Sequence, residues 1–183
     1  MRLLRFFFLG LMLASASLAF AGDVTFFGGF QHPGKITLFS FAKQAANAPG
    51  LIDLLSNPKN FGVLGARVGH GGKVVGLEHT LAVAPNFLDS RARVAILNSN
   101  LILHAPLVFV RPYVTGGVGL LRSSGEGPAA FGNKLALNYG GGLKFPLIGS
   151  VGTRIDVRGY TVPKVQGQKL NVVEVSVGVV FSY

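Results

Sequence analysis

Four histidines are the residues with the widest catalytic reach in this 183-residue chain, which has no cysteine. His32 stands in Gln31-His-Pro-Gly34, His70 in His70-Gly-Gly-Lys73, His79 directly after Glu78, and His104 at the end of a leucine-rich run. A hydrolytic or acyl-transfer site needs a nucleophile, a base and an orienting acid within hydrogen-bond reach. Glu78 and His79 are sequence neighbours, so in an extended chain they face opposite ways. His104 has no serine and acid beside it. The Gly71-Gly72 segment lacks phosphate-loop or dinucleotide spacing, and the histidines and carboxylates show no metal-ligand spacing. Without cysteine there is no disulfide framework and no thiol chemistry. The expectation is a protein that is not an enzyme, with no catalytic residue, no cofactor-binding residue and no metal site.

The charged residues form a second pattern. They make up 13% of the chain, with a formal net charge of +10, and they are dispersed. No Lys/Arg run marks a nucleic-acid surface, so no nucleic-acid partner is expected. Excess positive charge spread in this way fits an anionic membrane surface better. Arg154-x-Asp156-x-Arg158 and Glu174-x-Ser176 put ionic and polar groups at alternate positions, separated by Ile155, Val157 and Val175. In a strand, alternation places them on one face and the aliphatic residues on the other.

The elements that hold these faces are strands. Val173, Val175, Val177, Val179, Phe181 and Tyr183 line one side of the last stretch, and Glu174, Ser176, Gly178 and Ser182 the other. At the opposite end, Arg2 and Arg5 precede an apolar run over 6–13 and a small-residue segment ending Ala19-Phe20-Ala21. This is the layout of a secretory signal peptide over 1–21, cleaved at Ala19-x-Ala21, leaving 22–183 as one domain. No later apolar run is long enough for a transmembrane helix.

Eight stretches carry strand composition, near 23–31, 61–70, 73–84, 92–104, 109–121, 132–145, 149–160 and 170–183. Their connections alternate. Those over 32–60, 85–91, 122–131 and 161–169 are long, and those at 71–72, 105–108 and 146–150 are short. Such alternation is the mark of an all-β, eight-stranded antiparallel up-and-down transmembrane barrel with both termini at the short-turn end. Strand four requires Val94 and Ile96 inside, against the general pattern, and His79 points outward. Phe109, Phe145, Phe181 and Tyr183 are expected in the girdle at the turn end, and Phe61, Phe87 and Phe131 near the loop end.

Eight charges fall on inward faces: Arg67, Glu78, Arg111, Lys144, Arg154, Asp156, Arg158 and Glu174. Facing lipid, an Arg or Lys would cost ~2–4 kcal/mol near midplane. Facing inward they must pair, because an eight-stranded barrel is just filled by its side chains and an unpaired buried charge is destabilising. An interior polar plug is expected. Hairpin neighbours suggest Arg67 with Glu78 across the first turn, and Glu174 with Arg154 or Arg158 across the last loop.

Arg111-Pro-Tyr-Val-Thr-Gly-Gly-Val-Gly119, Asn138-Tyr-Gly-Gly-Gly-Leu-Lys144 and Arg154-Ile-Asp-Val-Arg158 together resemble the small eight-stranded outer-membrane β-barrels of the OmpA/OmpX type, within the porin-like outer-membrane barrel family. Ser176-x-Gly178-x-x-Phe181-x-Tyr183 resembles the C-terminal insertion signal of such barrels. The resemblance spans the mature chain and implies residence in the outer membrane of a diderm bacterium after export through the periplasm. It implies outer-membrane lipid as surroundings and the barrel assembly machinery as a partner of the last strand. Loop 32–60, the longest, is where an external ligand would be met. The family hosts several functions. A structural or surface-interaction role leads, followed by a small porin or narrow ion pathway, a lipid-modifying enzyme, and a soluble lipocalin-type barrel.

Overall fold

The computed structural model describes residues 22–34, 60–86, 92–105, 107, 109–126, 130–165 and 168–183. The signal segment 1–21 with Ala19 and Ala21, most of loop 32–60, and Phe87 lie outside the described residues. Within them the regular structure is β1 (Gly22–Pro33), β2 (Phe61–Gly71), β3 (Val75–Pro85), β4 (Ala92–His104), β5 (Arg111–Gly125), β6 (Gly132–Ile148), β7 (Val151–Val165) and β8 (Gln168–Ser182). Each strand pairs antiparallel with the next, and β1 pairs with β8, closing the barrel. Phe26 opposes Val179 across that seam. A Cβ on Gly178 would lie 2.7 Å from Thr25 Cγ2 and 2.8 Å from the Phe26 carbonyl oxygen, so the seam closes only around a glycine.

Alternation governs both surfaces. Outward positions through the middle of β2 to β8 are mostly aliphatic, as at Leu64, Leu81, Leu97, Leu120, Leu137, Val157 and Val177, all exposed, and β1 adds Phe26 and Phe30. Tyr139 belongs to the same wall, and its ring lies over Gly159, where a Cβ would meet Tyr139 Cζ at 2.7 Å. Closure leaves no sheet edge unpaired, which removes the template for association with other chains.

Three strand boundaries differ from expectation, the first being that β5 runs on to Gly125, where Arg122 to Gly125 pair with β4 instead of opening the loop expected over 122–131. The segment 161–169 is not a long loop: Thr161 pairs with Asn171 and Val162 with Leu170, so β7 and β8 continue to Val165 and Gln168. The register shifts between Val162 and Val165, beside Pro163. The strand β6 likewise runs to Ile148, with a shift beside Pro146 and a turn at Gly149, whose φ is 59°. A proline lacks the N–H a ladder needs, and a bulge absorbs the gap.

The interior is layered. At the loop end, Phe61, Val63, Ala84, Val94, Ile96, Leu121, Val162, Leu170 and neighbours form an apolar layer. This explains strand four, whose Val94 and Ile96 point in because the layer there is hydrocarbon. It also corrects the expected outer girdle. Phe61 is only 5% exposed and Phe131 packs against the same layer, so both belong to the interior. Phe61 shares its parity with Arg67, which fixes the side it takes. At the turn end, Phe109, Phe181 and Tyr183 are exposed, with Phe145 half-buried.

Candidate functional site

Below the apolar layer lies a charge-balanced cluster. Arg67, Arg154 and Arg158 meet Glu78, Asp156 and Glu174, and all six are buried. Asp156 is the hub. Its carboxylate accepts from Arg67 Nη1 at 3.0 Å, from Arg154 Nε and Nη2 at 2.9 and 2.8 Å, and from Arg158 Nη2 at 3.1 Å. Tyr113 also donates its hydroxyl to Asp156 and accepts from Arg154 Nη2 at 2.6 Å. Glu78 is gripped by Arg154 Nη1 at 2.7 Å and Arg158 Nη2 at 2.5 Å. Glu174 accepts from Arg67 Nη2 at 2.7 Å, Gln31 Nε2 at 2.8 Å, and the hydroxyls of Tyr160 and Ser176 at 3.1 Å each. The Arg67 guanidinium stacks 3.5 Å from the Phe27 ring centroid. Flat, forked guanidinium groups suit this packing, since each satisfies two carboxylates, and those of Arg67 and Arg154 also lie over the Phe27 and Tyr113 rings.

The pairing differs from the hairpin expectation. Arg67 reaches Asp156 and Glu174, while Glu78 is taken by Arg154 and Arg158. Glu174 stands opposite Arg158 in the ladder, yet its carboxylate turns to Arg67. Long side chains in a narrow cylinder meet across its axis as easily as along a hairpin. Lys144 stands apart from the six, paired with Asp23 at 2.6 Å towards the turn end. Arg111 is outside the cluster altogether: it opens β5 at the rim, is exposed, and faces solvent. Asp23, Gln31, Tyr113, Tyr160 and Ser176 complete the network. Their signal in the sequence was the same inward parity, without a charge to draw attention in the last four.

Beneath the cluster the barrel opens at the turn end into a mouth of about 690 Å³, lined by Asp23, Ile102, His104, Arg111 and Lys144, with Glu78 reaching it. On the outer wall, His79 Nδ1 and Ser99 Oγ lie 2.9 Å apart, and the His70 ring stacks on His79 with centroids 5.4 Å apart. At the loop end, His32 Nδ1 and Asn60 Oδ1 lie 2.8 Å apart. No group of three or more His, Asp or Glu among the described residues could hold a metal ion.

No protein-family model matches the chain, and no curated protein matches it in sequence. Solved structures do match in shape. The crystal structure of Neisserial surface protein A superposes with a TM-score of 0.67 at 12% identity, over 89% of this chain and 97% of the other. The N-terminal β-barrel domain of Pseudomonas aeruginosa OprF superposes with a TM-score of 0.52 at 15% identity, over 86% and 97%. The fold is that of the small eight-stranded outer-membrane barrels.

Proposed function

We propose that the chain is an integral barrel of a bacterial outer membrane, exported with loss of residues 1–21, acting as a sealed structural cylinder that carries loop 32–60 as its external contact. The single observation that supports this is the inversion of polarity through the wall: aliphatic outside, a neutral set of three arginines and three carboxylates inside. In water the outer wall would be an apolar surface far larger than monomeric proteins tolerate. In lipid it is the favourable solvent match, and closure satisfies the backbone. Ser176, Gly178, Phe181 and Tyr183 would then present the insertion signal to the assembly machinery.

The apolar layer argues against a through-pore, since an ion leaving the cluster towards the loop end would have to cross packed hydrocarbon. The His79–Ser99 contact is the one feature that favours a lipid-modifying enzyme. Glu78, the adjacent acid, is committed inside to Arg154 and Arg158. We therefore read the contact as two polar groups satisfying one another on a lipid-facing wall.

Membrane fractionation with a heat-modifiability gel tests the reading. The protein is expected in the outer-membrane fraction, with a mobility shift on boiling. Release by salt alone would reject it. In planar bilayers no steady conductance is expected, and regular unitary steps would restore the ion pathway.

A further inference from the structure

Besides the His70, His79 and Ser99 patch, the outer wall carries a trough whose chemistry breaks its aliphatic pattern. Leu64, Val83, Ala95 and Arg122 form one continuous row around the wall, each opposing the next across β2, β3, β4 and β5. The row nearer the turn end, through Leu81, Leu97 and Leu120, is aliphatic throughout. The row nearer the loop end places Arg93 opposite Ser124. Ala95 is the small residue between Val83 and Arg122, and it floors a groove of about 670 Å³ that both arginines line. Arg93 and Arg122 are diagonal neighbours on adjacent strands, a relation that sets Cα atoms roughly 7–8 Å apart. Both are exposed, and neither has an ion-pair partner among the described residues.

Two like charges at this separation repel, and their position is informative. An outward arginine is strongly unfavourable at the bilayer midplane and nearly neutral at the interface. The pair therefore sits at the level where hydrocarbon gives way to headgroups. A ligand that suits the trough must present an apolar chain to Leu64, Val83 and Ala95 and a compact anion to the guanidinium pair. A phosphomonoester carries about −1.5 to −2 at pH 7, which matches two arginines better than the single charge of a phosphodiester.

We propose that this groove is a docking site for a phosphomonoester-bearing lipid of the loop-side leaflet, its phosphate held between Arg93 and Arg122 and one acyl chain lying over Ala95. The inference rests on the membrane reading above, and mobility shift on boiling checks that reading separately in every sample.

The test uses the full mature barrel inserted into phosphatidylcholine vesicles doped with either phosphatidic acid or phosphatidylglycerol, then extracted for native mass spectrometry. Wild type is expected to retain phosphatidic acid roughly tenfold over phosphatidylglycerol, as two arginines at an anionic headgroup allow. The double substitution R93Q/R122Q should bring the two lipids to parity, with R93Q and R122Q alone each weakening the preference, while Arg111→Gln, which removes one cation at the opposite rim, should leave the preference intact. Equal retention of both lipids by wild type overturns the proposal. So does an unchanged preference in R93Q/R122Q, or loss of the lipid to millimolar inorganic phosphate, which would make the acyl contact irrelevant. A barrel that fails to shift on boiling in either vesicle would instead reject the membrane reading.

Discussion

Asp156 touches all three buried arginines and a tyrosine hydroxyl, so its charge holds more of the interior than any other single group described. Removing that charge leaves three guanidinium groups facing two carboxylates. Asp156→Asn is expected to destabilise the barrel by about 3–5 kcal/mol, the usual effect of breaking a buried pair from one side. Urea titration of the boiled-shift fraction measures this, and a midpoint unchanged from wild type would mean the cluster is dispensable. Replacing Lys144 by Met should do less, because its pair with Asp23 retains partial exposure. Gly159→Ala tests the outer wall by pushing a methyl into the Tyr139 ring, with an expected loss of about 1–3 kcal/mol, recovered when Tyr139 is also cut to Ala. At this scale the sequence was half legible. Parity assigned Arg67, Glu78, Arg154, Asp156, Arg158 and Glu174 to the inside. It did not assign partners, because which arginine meets which carboxylate depends on the stagger of strands around the axis. Nor did it foresee that Arg111, of the same parity, sits at a strand end where inward simply means solvent.

At the scale of the element, β8 carries two demands at once. Its Val175, Val177 and Val179 meet the outside and its Gly178 must admit β1. Gly178→Val is expected to block the seam and abolish the boiled-shift species, whereas Val177→Ile, one residue away on the outer face, should leave it intact. Val175→Arg places a cation near the middle of β8 on the lipid-facing side, with an expected loss of about 2–4 kcal/mol if that side meets hydrocarbon. A loss below about 1 kcal/mol would place Val175 at the interface instead. The strands were readable because a period of two is a strong local signal, and each short turn carries glycine or proline. The ends of β7 and β8 were not. Thr161, Pro163 and Gln168 read as loop chemistry, yet Val162 and Leu170 have an apolar layer to enter, and that burial extends the hairpin past a bulge.

For the whole molecule, the contrast between the two ends of the interior sets the behaviour. The loop end is closed by hydrocarbon and the turn end is an open mouth bordered by Lys144, His104 and Arg111. A small hydrophilic probe should therefore enter from the turn side and stop at the cluster. A cysteine introduced at His104, half-buried in the mouth, should react with a water-soluble maleimide added from that side, and one at the buried Val94 should stay protected from both. Reaction at both positions would mean that water passes the hydrocarbon layer. The location of this boundary was not legible in the sequence. Val94 and Ile96 looked like flaws in an alternating pattern until Phe61, Leu121 and Leu170 from three other strands were seen to share their level.

The short span between His32 and Asn60 has a practical corollary. A segment whose two feet already stand side by side behaves as a noose. Its length can change while its anchorage stays put. Doubling it would add only about 0.6 kcal/mol of closure entropy. Foreign peptides spliced between those feet should leave the cylinder's melting nearly untouched, which would make this chain a display scaffold.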